Sequence, residues 1–140
     1  MRKHIVNLAL KLVGTPYIWG GNSPRGGFDC SGFVIWILQV FDVLPAGDWT
    51  SQGLREHFKF VRQGVEPKPG DLVFYGQEPR ATHVVMYIGM MNGEPMQVGA
   101  SGGDSSTTTT EEAVRKNAMV KVKPVHYRRD FLGYYSIGDA

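Results

Sequence analysis

Cys30 is the only cysteine in the chain, and its surroundings favour chemistry by its thiol. It stands in Gly-Gly-Phe-Asp-Cys-Ser-Gly-Phe, where a loop rich in glycine and proline gives way to a strongly apolar stretch. That stretch predicts a helix beginning at Cys30, and the N–H groups and positive dipole end of a helix start stabilise a thiolate. Because a lone cysteine forms neither an internal disulfide nor a multi-thiolate metal site, a reactive Cys30 would act as a nucleophile. The alternative is a small buried hydrophobe, a common role for a free cysteine.

His83 is the candidate base for this nucleophile. It lies near the start of a segment rich in β-forming residues, 82–89, where alternation puts His83, Val85 and Tyr87 on one face. Both faces are largely apolar, so we expect one of them to pack on the helix that begins at Cys30. An imidazole facing a helix-start thiol takes the thiol proton, forms an ion pair with the thiolate and later protonates a leaving amine. The alternative is a histidine satisfied in the core.

The elements that must position these two residues predict an α+β fold. An amphipathic helix ends at Gly14, an apolar helix runs from Cys30 to about Asp42, and Thr50 can cap a short third helix. Strands follow, with a hairpin signal at Asn92-Gly93. The strand segments are 68–75, 82–89, 95–100, 119–125 and 133–137, and a short helix capped by Thr109 precedes the fourth. This order predicts a buried central helix packed on an antiparallel sheet, within a single domain of residues 1–140.

Composition and charge argue against several classes of function. With 42% hydrophobic and 20% charged residues, the chain has the composition of a globular protein. A net charge of +2 without a long basic run argues against a nucleic-acid partner. The histidines lack metal-ligand spacing and the glycine-rich loop lacks a phosphate-binding Gly-Lys-Ser/Thr, so we expect neither a metal nor a cofactor. No stretch is apolar enough to span a membrane, and the N-terminal segment predicts a folded helix rather than a signal peptide.

Four sequence blocks resemble the NlpC-type cell-wall cysteine peptidases. They are Thr15-Pro-Tyr-Ile-Trp-Gly-Gly, Gly27-Phe-Asp-Cys-Ser-Gly-Phe, Pro69-Gly-Asp-Leu-Val-Phe-Tyr and His83-Val-Val-Met-Tyr-Ile-Gly, in the order of the family. Leu44-Pro45 and Ser51-Gln52 also fit, and the resemblance covers about residues 5–101. It implies a compact papain-like fold. It also implies hydrolysis of amide bonds in peptidoglycan stem peptides, most often after γ-linked D-glutamate, through a thioacyl intermediate.

The resemblance also assigns roles to individual residues. Cys30 matches the nucleophile and His83 the base, while Tyr17, Asp29 and Ser31 match positions that line the pocket for the free amine of a short stem peptide. A carboxylate and hydroxyls bind an ammonium group by charge-assisted hydrogen bonds, which agrees with that role. Asp29 is equally suited to cap the helix that follows it, and Tyr17 to be a core aromatic residue. The backbone N–H of Cys30 is a natural donor to an oxyanion.

The third member of the triad is where this sequence departs from the family. The family usually has His, Asn or Gln on the strand after that of the catalytic histidine, in a context such as Ile-His-Ala-Ser. The matching segment here is Met96-Gln-Val-Gly-Ala-Ser, which puts Gly99 at that position. Gln97 lies two residues earlier and shares the strand face, so we predict that its amide oxygen accepts the imidazole N–H. A backbone carbonyl or a water molecule is the alternative.

Other functions fit the same residues. An amidase or acyltransferase would use the same thiolate on the same fold, and a bacteriophage tail or virion component can carry this kind of domain. The expected partners are peptidoglycan stem peptides and, for some contexts, a larger assembly or a fused or delivering protein. Without a signal peptide, we expect the chain to be cytoplasmic until released, or to reach a virion or cell wall by another route.

Overall fold

A computed structural model of the protein describes residues 1–138, which form four α-helices and eight β-strands. The helices are α1 (Arg2–Lys11), α2 (Cys30–Val40), α3 (Ser51–His57) and α4 (Thr110–Arg115). The strands are β1 (Asn22–Ser23), β2 (Gly27–Phe28), β3 (Lys59–Phe60), β4 (Leu72–Gln77), β5 (Arg80–Met91), β6 (Glu94–Ser101), β7 (Met119–Pro124) and β8 (Phe131–Ser136). A 3-10 turn, Val125–Tyr127, follows β7. No helix within the described range is long and apolar enough to cross a membrane.

Six strands form one antiparallel sheet in the order β3-β8-β4-β5-β6-β7, and β1 and β2 form a separate short pair. The β5–β6 hairpin turns at Asn92 and Gly93, whose φ values of 55° and 78° suit a tight turn matched to the strand twist. After β7 the chain returns to place β8 between β3 and β4. The predicted α+β class with an antiparallel sheet is confirmed.

The main core lies between the helices and one face of the large sheet. The central helix α2 is apolar on nearly all sides, and its fully buried side chains belong to one core cluster with Val84 and Met86 of β5. Ile5 of α1 and Leu54 of α3 are fully buried in the same cluster. The helix that begins at Cys30 is therefore fixed against β5, the strand that carries His83.

A smaller cluster covers the opposite face of the sheet. Its buried members are Val73, Tyr75, Val85, Tyr87 and Val125. Because strand residues alternate, His83 belongs to this face, and the Val84 face is the one that packs on α2. The imidazole consequently sits among aromatic side chains rather than among the aliphatic residues under the helix.

A buried ion pair ties α1 to the sheet. Nη1 of Arg2 donates to Oδ1 of Asp71 at 2.8 Å, and Asp71 is only 2% exposed. The same carboxylate accepts the backbone N–H groups of Lys68 at 2.8 Å and Ile137 at 3.2 Å. The turn before β4, the end of β8 and the first helix thus meet at one carboxylate.

Candidate active site

Cys30 is the first residue of α2, and Asp29 caps that helix. The backbone of Asp29 is extended, with φ −86° and ψ −176°, and its Oδ1 accepts the backbone N–H of Gly32 at 2.7 Å. The hydroxyl of Ser31 also points at this carboxylate, at 3.4 Å. Asp29 therefore has, in this structure, the capping role that the sequence left open, and it fixes the helix start that presents the thiol.

Close backbone packing explains why glycines surround Cys30. A Cβ on Gly32 would overlap with the carbonyl oxygen of Gly21, and a Cβ on Gly21 would overlap with that of Gly27. The backbone N–H of Asp29 donates to the carbonyl of Gly21 at 3.0 Å. The loop and the helix start therefore rest on each other without side chains between them, so the position of the thiol is fixed by backbone contacts.

The thiol of Cys30 is partly buried, and burial is the main influence on its ionisation. Burial raises its pKa, and the Asp29 carboxylate adds to that effect. Hydrogen bonds from the backbone N–H of Val84, the hydroxyl of Ser51 and the backbone N–H of Ser31 oppose it and lower the pKa. At neutral pH the thiol is protonated, and the same donors are in place to stabilise the sulfur as it loses its proton.

His83 lines the same pocket as Cys30 and is 9% exposed. Burial, followed by the positive charges of Arg128 and Lys123, lowers the pKa of its imidazole to about 3, and Asp130 acts weakly in the opposite direction. The imidazole is therefore neutral at neutral pH. Burial thus favours the uncharged form of both groups, a thiol and a neutral imidazole.

Aromatic packing holds the imidazole ring of His83. Its centroid lies 5.6 Å from that of Tyr75, with the ring planes tilted by 36°. Tyr75 is itself anchored, since its hydroxyl donates to the carbonyl of Val125 at 2.7 Å. Nε2 of His83 is buried and has no hydrogen-bond partner in the part of the chain that the structure describes. Because Nε2 is buried, Nδ1 of His83 is the ring nitrogen that can face the pocket.

Gln97 lies away from His83. The register of the β5–β6 hairpin pairs Gln97 with Tyr87, four residues along β5 from His83. Four strand residues span about 13 Å, which is beyond the reach of an amide side chain to the ring. The amide oxygen of Gln97 is buried and, among residues 1–138, has no hydrogen-bond partner. The structure therefore corrects the predicted role: a shared strand face does not bring Gln97 to the imidazole.

Gly99 stands where the family places the third triad residue, and Val85 explains why no side chain is there. A Cβ on Gly99 would overlap with Cγ1 of Val85 and lie 2.9 Å from its Cβ. Val85 follows His83 by two residues and shares its face of β5, so it fills the space that an orienting side chain would need. No acceptor can be added at Gly99 unless Val85 becomes smaller.

Cys30 and His83 share a pocket of about 490 Å³. Its lining residues are Tyr17, Cys30, Thr82, His83, Ser101, Gly102, Gly103, Lys123, Tyr127 and Arg128. Of the predicted amine-binding residues, Tyr17 lines this pocket, whereas Asp29 and Ser31 line a neighbouring groove of about 270 Å³. A larger groove of about 590 Å³ near β3 contains neither Cys30 nor His83. Residues 1–138 contain no cluster of three or more His, Cys, Asp or Glu side chains able to hold a metal ion.

Charge is distributed unevenly around the pocket. The pKa of Tyr17 is raised mainly by burial, and the charges that Cys30, Asp29 and Asp104 carry when ionised add to that effect. His83 instead experiences the cations Arg128 and Lys123. Because Asp104 is paired with the ammonium of Lys116 at 3.0 Å, the carboxylate of Asp29 is, among residues 1–138, the unpaired charge on the Tyr17 side, whereas the His83 side has two cations.

The sequence of residues 14–124 matches the NlpC/P60 family, and this range includes Cys30, His83 and the strands around them. The chain belongs to the NlpC/P60 family. The crystal structure of the NlpC/p60 domain of peptidoglycan hydrolase SagA superimposes with a TM-score of 0.71 at 26% identity, covering 97% of this chain and 98% of that one. The predicted family and papain-like fold are confirmed.

Curated NlpC/P60 relatives include two with named activities. Murein DD-endopeptidase MepH of Escherichia coli (strain K12) is 37% identical over 114 residues, which cover 79% of this chain and 41% of that protein. The bifunctional muramidase/DL-endopeptidase CwlT of Bacillus subtilis (strain 168) is 40% identical over 102 residues, which cover 70% of this chain and 29% of that protein. The chain thus spans less than half the length of these relatives.

Sequence reasoning missed three residues of this NlpC/P60 site. Ser51 was noted in the family pattern without a role, and its hydroxyl lowers the pKa of the Cys30 thiol. Lys123 and Arg128 line the pocket but follow the four matching blocks, so their only signal was a local excess of basic residues. Lys123 reaches the pocket because β7 pairs with β6, and Arg128 because the chain returns after β7; neither arrangement is encoded in a local motif.

Proposed function

We propose that the protein is a cysteine peptidase that hydrolyses the amide bond between γ-linked D-glutamate and the diamino acid in peptidoglycan stem peptides. The proposal depends above all on one observation: a helix-start thiol and a buried neutral imidazole share one pocket in a chain of the NlpC/P60 family. The names of the relatives, a murein DD-endopeptidase and a DL-endopeptidase, support the substrate class.

The reaction starts from the neutral pair. Nδ1 of His83 takes the thiol proton as Sγ of Cys30 attacks the amide carbonyl carbon, and negative charge develops on the carbonyl oxygen. The backbone N–H of Cys30, at the positive end of α2, is placed to donate to this oxyanion. The imidazolium then protonates the leaving amine, the C–N bond breaks, and the acyl group remains on Cys30 as a thioester. Water attacks the thioester with His83 again as base, which releases the acid and restores thiol and imidazole.

The Tyr17 side of the pocket, close to the Asp29 carboxylate, suits the other end of the substrate. In this proposal the free amine of a short stem peptide binds between the hydroxyl of Tyr17 and the groove lined by Asp29 and Ser31. The negative charge of Asp29 near Tyr17 favours a cation there. The acyl half of the substrate then lies on the Tyr17 side of the thiol.

The test is cleavage of defined peptides. The purified protein is incubated with a synthetic stem tripeptide, L-alanyl-γ-D-glutamyl-diamino acid, and the products are identified by mass spectrometry. We expect cleavage after the D-glutamyl residue, with kcat reduced at least about 10³-fold in Cys30→Ala and in His83→Ala. His126→Ala is the matched control, because His126 is an exposed histidine outside the pocket. Acid quenching during turnover traps the acyl group on Cys30 as a mass increase.

A parallel reaction with a D-alanyl–diamino acid cross-linked peptide separates the two bond types. Cleavage of the cross-link alone would overturn the D-glutamyl assignment while leaving a peptidase. If the folded protein, verified by circular dichroism, cleaved neither peptide, the proposed function would be wrong.

A further inference from the structure

Two cations form one wall of the pocket that holds Cys30 and His83. Lys123 lies at the end of β7 and Arg128 lies between the 3-10 turn and β8, and both side chains line the pocket. We call these two residues the cationic wall. Their positive charges lower the pKa of His83, whereas the Asp29 carboxylate raises the pKa of Cys30. The wall therefore lies on the histidine side of the scissile bond.

Arg128 is held in place before any ligand binds. Its Nε and Nη2 donate to the two oxygens of Asp130 at 2.8 and 2.7 Å, and its guanidinium carbon lies 5.0 Å from the ring centroid of Tyr75. Nη1 of Arg128 does not donate to Asp130, and the side chain of Arg128 is 32% exposed. A guanidinium ordered in this way loses little conformational entropy when a further acceptor binds.

Lys123 supplies a second cation on this wall. Its ammonium lies 4.5 Å from the ring centroid of Tyr127, another residue of the pocket. Burial, then the charges of Lys121 and Arg128, lower the pKa of Lys123. Asp130 pairs with Arg128, and within residues 1–138 no carboxylate forms an ion pair with Lys123. An anion between Lys123 and Arg128 would relieve the repulsion between these cations.

We infer that Lys123 and Arg128 bind a carboxylate of the diamino acid on the leaving side of the scissile bond, and so select substrates in which this carboxylate is free. The inference rests on the proposed function. His83 protonates the leaving amine, so the residue that carries this amine must lie beside His83 and hence against the cationic wall. A diamino acid offers two carboxylates, the α-carboxylate when it ends the peptide and a side-chain carboxylate when it is diaminopimelate.

Two pairs of peptides test the inference. One pair ends in lysine as the free acid or the amide, and the other has diaminopimelate, followed by D-alanine, with its side-chain carboxylate free or amidated. For at least one pair we expect wild-type kcat/KM to favour the acid about tenfold or more, mainly through KM, which is typical of a hydrogen bond between charged groups. The pair that shows the preference identifies which carboxylate is bound.

Substitution of the wall should remove this preference. In Arg128→Gln and Lys123→Met we expect the acid-to-amide ratio of kcat/KM to fall toward one, and the ratio is independent of any general loss of activity. Arg129→Gln makes the same change of charge at an exposed neighbour outside the pocket and should keep the wild-type ratio. A ratio near one for both pairs in the wild type, or an unchanged ratio in Arg128→Gln, would overturn the inference.

Binding separates this inference from the proposed function. Calorimetry with the Cys30→Ala protein measures affinity for the same acids and amides without turnover. Tighter binding of an acid, lost in Cys30→Ala/Arg128→Gln, supports the cationic wall even if no peptide is cleaved. Equal affinity for acid and amide overturns the inference even if the wild type cleaves both.

Discussion

Burial has the largest effect on the pKa values of both Cys30, the candidate nucleophile, and His83, the candidate base. It acts on them in opposite directions, raising the pKa of the Cys30 thiol and lowering that of the His83 imidazole, and each direction favours the uncharged form. Hydrogen bonds from Val84, Ser31 and Ser51 only partly offset this for the thiol. In the proposed mechanism, charge develops at the site only during the reaction, where the same donors have the largest effect.

The lowered pKa of His83 predicts how the stability of the fold depends on pH. The folded imidazole binds its proton only near pH 3, whereas the unfolded one does so near 6.5. The unfolded state thus holds more protons between these values. The free energy of unfolding should fall as pH is lowered through this window, by about 4 kcal/mol in total by pH 3. Urea denaturation at pH 7, 5.5 and 4 measures the decrease.

The matched variants for that measurement are His83→Gln and His126→Gln. Carboxylates such as Asp104 titrate alike in all three proteins, so the difference between the curves isolates the imidazole. We expect His83→Gln to lose clearly less stability than the wild type on acidification, and His126→Gln, changed at an exposed position, to follow the wild type. Parallel curves for the wild type and His83→Gln would show that the buried imidazole does not titrate as described.

The pairing of β5 with β6 decides, among the secondary-structure elements, what can orient His83. The pairing brings Gly99 against Val85 and Gln97 against Tyr87. Gly99 has no side chain to offer, and the amide of Gln97 lies too far along the strand to reach the imidazole of His83. Packing on Tyr75 takes the place of a hydrogen bond. A hydrogen-bond acceptor on β6 therefore requires changes on both strands at once.

A double substitution tests this steric account. Gly99→Asn alone should lower the free energy of unfolding by about 1–3 kcal/mol, because its Cβ overlaps with Val85. In Val85→Ala/Gly99→Asn we expect part of that loss to be recovered and kcat to rise above that of Val85→Ala, since the amide oxygen then has room to accept from Nε2 of His83. Urea denaturation and stem-peptide turnover give the two readouts. If the two substitutions destabilise additively, Val85 is not what excludes a side chain at Gly99.

The same hairpin shows which features could be predicted from the sequence. The tight turn at Asn92-Gly93 is a local signal and was found. Alternation correctly placed Gln97 and His83 on one face, but register depends on counting pairs back from the turn. That count pairs Met91 with Glu94 and brings Gln97 near Tyr87 after a bulge, far from His83. The signal that corrects the prediction was therefore present in the sequence.

Other features had no local signal. The two main helices follow from apolar periodicity, and the helix start at Cys30 from its glycine-rich approach and Asp29. The insertion of β8 between β3 and β4 joins segments more than 50 residues apart, and nothing in either segment specifies its neighbour. The position of Arg128 depends on that return path, whereas Lys123 lies on β7 and depends on its pairing with β6. Residue types thus indicated the candidate nucleophile and base, whereas the cations beside His83 required the tertiary structure.

The site, in the molecule as a whole, depends on the packing of distant segments. Cys30, His83 and Arg128 come from the start of α2, from β5 and from the segment before β8, and they meet only because the helices and the returning strand share one sheet. Contacts far from the pocket therefore preserve it. The ion pair between Arg2 and Asp71 is such a contact, because it joins α1 to the turn before β4 and to the end of β8.

Removing the cation of that pair should destabilise the fold and leave the catalytic activity nearly unchanged. In Arg2→Ala the Asp71 carboxylate, 2% exposed, keeps only backbone partners, so we expect the free energy of unfolding to fall by about 3 kcal/mol. Because Arg2 does not line the pocket, kcat/KM well below the unfolding transition should stay within about twofold of the wild type. Arg2→Lys keeps the charge and should lose less stability, and Arg25→Ala, at an exposed arginine, should lose almost none. An unfolding free energy of Arg2→Ala equal to that of Arg25→Ala would mean that the backbone N–H groups alone satisfy Asp71, and that α1 is held by its apolar face.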